Sequence, residues 1–311
     1  MKRRYILLWN RGSGGNQRGL EATDTIREIE RYFQEQGHEI QSVIFSPEDI
    51  ESTLAHAIAS APFAILIAGG DGTVSTAAAI LGGSTIALGV LPLGTFNLAA
   101  RDLGVPLEIP EAITYLAQAE VETIDVLDVA GRACLCTTIL GFYPEFSHIF
   151  ESRDHGGHWW KKSIKLLLGL PQTFARARPL HLEWQADDTS GHARTKFASI
   201  VPGSYLGQPG LVPARTDFQS GTMTAYIGRH HKASSALKAI FDYALGKHEE
   251  NSGLEIFKTS HLTLSAKGRS RCTIMLDGEI LTLRLPLEFR ILPRHLRVLT
   301  TRAAIATPDP S

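Results

Sequence analysis

Three glycine-rich stretches and one acidic tripeptide contain the residue types from which a phosphate-handling site is built. The stretches are Asn10-Arg11-Gly12-Ser13-Gly14-Gly15, Gly69-Gly70-Asp71-Gly72-Thr73-Val74-Ser75 and Pro92-Leu93-Gly94-Thr95-Phe96-Asn97. Glycine lets main-chain amides approach a ligand closely. A helix N-terminus behind such a turn adds unpaired N–H groups and a partial positive charge, which suit phosphate. Asp71 is out of place among groups that attract anions. Either a divalent cation such as Mg2+ stands between its carboxylate and the phosphates, or the side chain caps the following helix. The tripeptide is Asp277-Gly278-Glu279. Phosphoryl transfer to an alcohol needs a group that accepts the hydroxyl proton, which either carboxylate could do. On the residues alone, Asp-Gly between Ile274, Leu276 and Ile280, Leu281 is also the signature of a two-residue hairpin. None of the loops has the GxxxxGK[ST] or GxGxxG pattern, so ordinary P-loop and Rossmann sites are excluded.

The elements that must position these loops are legible in the spacing of apolar residues. Tyr5 to Trp9, Ala64 to Ala68 and Ile86 to Leu91 are nearly continuous apolar runs, each immediately before one of the loops, and Val43 to Phe45 is a fourth. Such runs, alternating with helical periodicity, predict a parallel sheet covered on both faces, with ligands at its carboxyl edge. Ala22, Ile26, Ile29 and Phe33 form one helical stripe, ending at Gly37. Ser46-Pro47-Glu48-Asp49 predicts a capped helix start before Ile50, Leu54, Ala57 and Ile58, and Val74, Ala77, Ala78 and Leu81 continue the second loop into a third helix. From about Val121 the period becomes two. Leu180, Leu182 and Trp184, then Met223, Ala225 and Ile227, then Leu262, Leu264 and Ala266 predict half-buried antiparallel strands. A longer run from Leu281 to Ile291 contains Pro286, which predicts an edge or a bend. Helical inserts are expected near 157–178 and 233–246.

At 311 residues the chain is long enough for about two domains. With 43% hydrophobic and 20% charged residues it has the profile of a folded globular protein. A formal charge of −1 supplies no global field for nucleic acid, so any anion site must be local. No apolar stretch approaches the roughly 20 residues of a membrane span. The basic start Met1-Lys2-Arg3-Arg4 precedes only five apolar residues and reads as a first strand rather than a leader. Cys134, Cys136 and Cys272 have no zinc-like spacing and suit a reducing, cytoplasmic compartment.

The pairing of Gly69-Gly70-Asp71-Gly72-Thr73 with Pro92-Leu93-Gly94-Thr95-Phe96-Asn97 and Ala100-Arg101 resembles the diacylglycerol kinase catalytic-domain family, in its soluble bacterial lipid kinases, which are similar to sphingosine and ceramide kinases. The resemblance covers nearly the whole chain. It implies an α/β nucleotide-binding domain of the NAD kinase and diacylglycerol kinase type over 1–125, with a returning segment at 288–302, and an antiparallel β-sandwich substrate domain over 126–287. It implies ATP and Mg2+, with Asn10 to Gly14, Ser46, Gly69 to Ser75, Gly94, Thr95 and Asn97 around the nucleotide and Asp71 toward the metal. In this likeness Asp277 and Glu279 carry the general base and Asp125 connects with them. The acceptor is a lipid hydroxyl of diacylglycerol type. There are departures: Arg11 stands where a proline is usual, Leu98 replaces a common aspartate, and Gly141-Phe142-Tyr143-Pro144-Glu145-Phe146 lacks the usual glycine and aspartate pattern. Gln219, Ser220 and Thr224 stand where acids commonly hold a structural Mg2+, so that site is expected to be lost.

His158-Trp159-Trp160-Lys161-Lys162 and the apolar residues after it suit either peripheral contact with the inner membrane face or a helix covering the sandwich. Asp154, His155, His158, His230 and His231 lack a convincing third metal ligand. The expected activity is ATP-dependent phosphorylation of a lipid hydroxyl. The alternatives are a kinase of a soluble alcohol or dinucleotide, and a nucleotide- or lipid-binding sensor that keeps the fold without catalysis. The sequence fixes neither head group nor oligomeric state.

Overall fold

The computed structural model describes residues 2–13, 20–141, 178–205, 215–229 and 253–305. The chain forms two compact units. Met1–Val126, Asp217–Ser220 and Leu292–Ser311 make up the first, and Leu127–Thr216 with Gly221–Ile291 the second.

The first unit opens with β1 (Arg4–Asn10), α1 (Leu20–Glu35) and β2 (Glu39–Phe45), followed by a 3-10 turn (Pro47–Asp49), α2 (Ile50–Ala59), β3 (Ala64–Gly69), α3 (Asp71–Leu81) and β4 (Ala87–Pro92). It continues with α4 (Leu98–Asp102), α5 (Ile109–Gln118) and β5 (Glu120–Val129), whose last residues enter the second unit. β2, β1, β3 and β4 lie side by side and parallel, with Tyr5 opposite Ile40 and Ala64, and Ala64 opposite Ala87. β3 and β4 are buried throughout, as expected for strands covered on both faces. Helices supply the cover: Ile29 and Phe33 of α1, Leu54 of α2, Ala77 and Leu81 of α3 and Leu116 of α5 are fully buried. Ser46 does not cap a helix as the sequence suggests. Pro47–Asp49 makes a 3-10 turn, the Ser46 side chain forms no capping bond, and α2 starts at Ile50.

The second unit contains β6 (Arg132–Cys134), β7 (Thr138–Gly141), β8 (Leu180–Ala186), β9 (Ser190–Thr195), β10 (Phe197–Pro202), β11 (Ser204–Tyr205) and β12 (Arg215–Thr216). Further on come β13 (Met223–Gly228), β14 (Leu254–Thr259), β15 (His261–Ala266), β16 (Arg271–Leu276), β17 (Glu279–Arg284) and β18 (Leu287–Thr300), which leads back to the first unit before the short α6 (Arg302–Ile305). Six strands pair in the order β14-β13-β10-β7-β16-β17, and β15 lies between β8 and the start of β18, with β9 outside β8. The alternating residues read from the sequence face one core. Leu180, Leu182, Trp184, Leu262, Leu264 and Phe289 pack with Ile200, Met223, Ala225, Ile274 and Leu276. The apolar run from Leu281 to Ile291 is two strands, broken at Leu285-Pro286, since proline has no N–H for the ladder. In the first unit, β18 runs parallel to β4, with Val298 opposite Leu88, and β5 pairs with β18. Among the described residues no helix is long and apolar enough to cross a membrane.

Candidate active site

The three glycine loops follow β1, β3 and β4, which lie side by side and parallel, so the loops share one edge of the sheet. Side-chain bonds knit them together. Asn10 Nδ2 donates to Thr73 Oγ1 at 2.8 Å, tying the end of β1 to the first turn of α3, while Asn10 Oδ1 accepts from the Gly12 amide at 2.8 Å. The Arg11 amide donates to the Phe45 carbonyl, and a Cβ on Gly12 would lie 3.0 Å from the Pro47 ring, so the first loop packs beside Ser46-Pro47. Asn97, in the left-handed region at φ 51°, accepts the Gly94 amide at 2.7 Å and precedes α4. Asn10 and Asn97, predicted as nucleotide ligands, thus brace the loops that contain them. The second and third loops meet at their glycines: a Cβ on Gly94 would lie 2.8 Å from the Gly70 Cα.

Gly70 is the N-cap of α3 at φ −85° and ψ 174°, and Asp71 is the first helical residue, half-buried. The cap position is therefore filled by glycine, not by Asp71. The first-turn amides over Asp71 to Thr73 have no carbonyl of their own helix to bond, and the aligned peptide dipoles add partial positive charge there. Gly72 belongs to the same turn, and Ser75 stands one turn further on. Thr95 is exposed, as are Arg11 and Gly12, and Ser13 is half-buried. Gly14 lies outside the described residues. A glycine cradle at a helix N-terminus, with a carboxylate on its first residue, fits a phosphate chain accompanied by a divalent cation.

The two carboxylates of the tripeptide have different surroundings. Asp277 and Gly278 both have positive φ, 46° and 93°, which is the turn chemistry of an Asp-Gly hairpin linking β16 to β17. Asp277 is 1% exposed. Its carboxylate accepts from the main-chain N–H groups of Leu135 (2.7 Å), Cys136 and Thr137 (both 2.9 Å), and from the Cys134 thiol at 3.3 Å. Arg215 Nη1 donates to the Leu135 carbonyl at 2.9 Å, securing the same turn from the other side. Burial, followed by the neighbouring Asp277 charge, pushes the Cys134 thiol well above its ordinary range. Glu279 begins β17 and is exposed.

Asp125 is fully buried in β5. Its Oδ1 accepts from the Arg294 amide at 2.8 Å, and its own amide donates to the Phe218 carbonyl at 2.7 Å. The segment Asp217–Ser220 belongs to the first unit although the chain on both sides of it belongs to the second. Gln219 Nε2 donates to the Thr123 carbonyl at 2.7 Å, and the Ser220 hydroxyl donates to the Asp217 carbonyl at 3.1 Å. The sequence marks this stretch only as a departure, and nothing in its residue types points to β5. The amides of 135–137 are equally silent, because a main-chain donor has no residue signature. Among the described residues no group of three or more metal-ligating side chains converges. The Trp159-Trp160 insert, the Phe142 to Phe146 stretch, the predicted helices near 157–178 and 233–246, and the histidine candidates His155, His158, His230 and His231 lie outside the described residues.

Residues 4–129 match the family model of the diacylglycerol kinase catalytic domain, the family that the loop motifs resemble. A diacylglycerol kinase of Mycobacterium tuberculosis (strain CDC 1551 / Oshkosh) is 25% identical over 259 residues, 82% of each chain. A solved diacylglycerol kinase from Bacillus anthracis str. Sterne superposes with a TM-score of 0.68 at 17% identity, over 97% of this chain and 98% of that one. A further structure from that organism reaches 0.75 at 19% identity over 97% of both chains. The two-domain α/β and β architecture is that of diacylglycerol-kinase-type proteins, and the likeness is to lipid kinases in general.

Proposed function

We propose that the chain is an ATP-dependent kinase that transfers the γ-phosphoryl group to the hydroxyl of a diacylglycerol-like lipid. The observation that carries this reading is the knitted set of loops at one sheet edge, Asn10 to Thr73 and Gly94 against Gly70, in a stretch that matches a kinase family. First-turn amides of α3 would hold phosphate oxygens, and the Asp71 carboxylate would hold the cation. Mg2+, when bound, supplies neutralisation of the phosphate charge. Glu279 takes the proton of the attacking hydroxyl, because its carboxylate is exposed while that of Asp277 is filled by three main-chain donors. Asp277 positions the hairpin that carries Glu279. The Pγ–O bond to ADP breaks as the bond to the lipid oxygen forms, and ADP leaves with the electron pair.

Incubation with labelled ATP and a total lipid extract, followed by chromatography, tests the activity. A labelled lipid is expected. Label in a water-soluble alcohol favours a soluble acceptor, and ATP affinity without product favours a sensor. Glu279→Gln is expected to lower kcat by about 10²- to 10⁴-fold with little change in ATP affinity. Undiminished turnover in Glu279→Gln would reject the assignment of the base.

A further inference from the structure

The turn that receives Asp277 is gripped from its far side by a small, separate piece of sheet. Among the described residues β11 and β12 pair only with each other, Ser204 opposite Thr216 and Tyr205 opposite Arg215. A ribbon that short is not stable by its own hydrogen bonds, so its place is fixed by what it is fastened to. On one side it is fastened to β13. The Tyr205 amide donates to the Tyr226 hydroxyl at 3.1 Å, the two rings stack with centroids 5.3 Å apart, and the Ser204 and Thr224 hydroxyls lie 3.0 Å from each other. On the other side both members of the second pair reach the turn at 135–137. The Tyr205 hydroxyl donates to Thr137 Oγ1 at 2.8 Å, and buried Arg215 donates through Nη1 to the Leu135 carbonyl at 2.9 Å. The Thr137 and Ser199 hydroxyls, both buried, are 3.1 Å apart, so Thr137 can accept from Tyr205 and donate to Ser199 at once. The main-chain amides of the same three residues, 135 to 137, all point the other way, into the Asp277 carboxylate.

We infer that Tyr205 and Arg215 are positioning residues that hold the Asp277-Gly278-Glu279 hairpin in place through the 135–137 turn. Every link is a hydrogen bond within the second unit: ribbon to the side chain and carbonyl of the turn, turn amides to Asp277, and Asp277 to Glu279 along two residues of chain. Neither Tyr205 nor Arg215 touches the hairpin itself. The consequence for catalysis rests on the kinase reading, in which Glu279 takes the proton of the acceptor hydroxyl. A reacting group misplaced by about 1 Å can lose about 10²-fold in rate, so a turn held from both sides keeps kcat high without contributing to ATP affinity.

Tyr205→Phe keeps the ring on Tyr226 and removes only the bond to Thr137. Hydrogen–deuterium exchange on the full chain is expected to show the amides of 135–137 exchanging about fivefold faster, as loss of one hydrogen bond implies, while those of Ala225 and Ile227 in β13 keep their protection. In lipid phosphorylation kcat is expected to fall about fivefold or more with KM for ATP unchanged. In the Glu279→Gln background the same substitution is expected to lower kcat no further, because the group it positions is gone. Thr137→Val should repeat these effects, whereas Thr137→Ser, which keeps the hydroxyl, should restore the rate; this pair decides the matter should thermal unfolding show that Tyr205→Phe does not fold. Unchanged exchange at 135–137 overturns the inference. So does an equal fall in kcat with and without Glu279, which marks a general loosening of the unit. Faster exchange at 135–137 in a chain that phosphorylates no lipid removes the kinase reading alone and leaves the hold on the hairpin standing.

Discussion

Asp277 and Glu279 are two residues apart and have opposite consequences when neutralised. An amide at 277 turns an N–H donor toward main-chain donors of 135–137, leaving a buried polar conflict. Asp277→Asn is therefore expected to cost about 2–4 kcal/mol, read as a lowered urea midpoint. Glu279→Gln at the exposed start of β17 should stay within about 0.5 kcal/mol of wild type. A different carboxylate contributes to acid stability. Asp187 is held at about 2, below its usual 3.8, first by the Ser260 hydroxyl, then by the Ser260 amide, the Thr259 hydroxyl and the His261 amide. Because the folded value is depressed, the unfolded chain binds the proton more readily. The contribution is thus complete above about pH 4 and is lost as pH falls toward 2. Asp187→Asn should flatten the urea midpoint across that window. An unchanged slope between pH 4 and pH 2 would refute the role.

At the scale of elements, the site depends on how closely two turns approach. A Cβ on Gly94 would meet the Gly70 Cα at 2.8 Å and Asn97 Oδ1 at 2.9 Å, so Gly94→Ala must push the second and third loops apart. A Cβ on Gly70 meets nothing closer than 3.6 Å, and φ −85° is open to alanine. Gly94→Ala should weaken ATP binding at least tenfold in calorimetry. If Gly70→Ala also abolishes binding while Tm holds, the space it fills belongs to the ligand. The strands and helices around these turns were legible because their signals are local. Ala64 to Ala68 is an apolar run ended by glycine, Tyr5 to Trp9 is one ended by Asn10-Arg11-Gly12, and Ala22 to Phe33 is a stripe. The link from Asn10 to Thr73 was not legible. It spans 63 positions, and nothing in either residue type specifies the partner. Ser46-Pro47 misled for a related reason: its N-terminal signature is satisfied equally by a 3-10 turn.

At the scale of the molecule, the chain's passages between units were only partly readable. The return of the C-terminal strand is implied by the family resemblance, but the insertion of Asp217–Ser220 into the first unit is not, because four residues are too few to show a period. Phe218 is 3% exposed within that insertion, and its carbonyl accepts the amide of Asp125 at 2.7 Å. Phe218→Ala keeps that main-chain bond available and removes only the ring, so its effect isolates packing. Deleting a buried phenylalanine ring typically costs about 3–5 kcal/mol. The loss should fall on the unit the ring belongs to. Amides of Leu66 in β3 and Leu88 in β4 should exchange with solvent deuterium faster, while those of Ile200 in β10 and Ala225 in β13 keep their protection. Gln219→Ala, which removes one exposed hydrogen bond to the Thr123 carbonyl, should reproduce the pattern at about 1 kcal/mol or less. If exchange accelerates in β10 and β13 and not in β3 and β4, the segment stabilises the second unit instead, and its place beside Asp125 has no energetic weight.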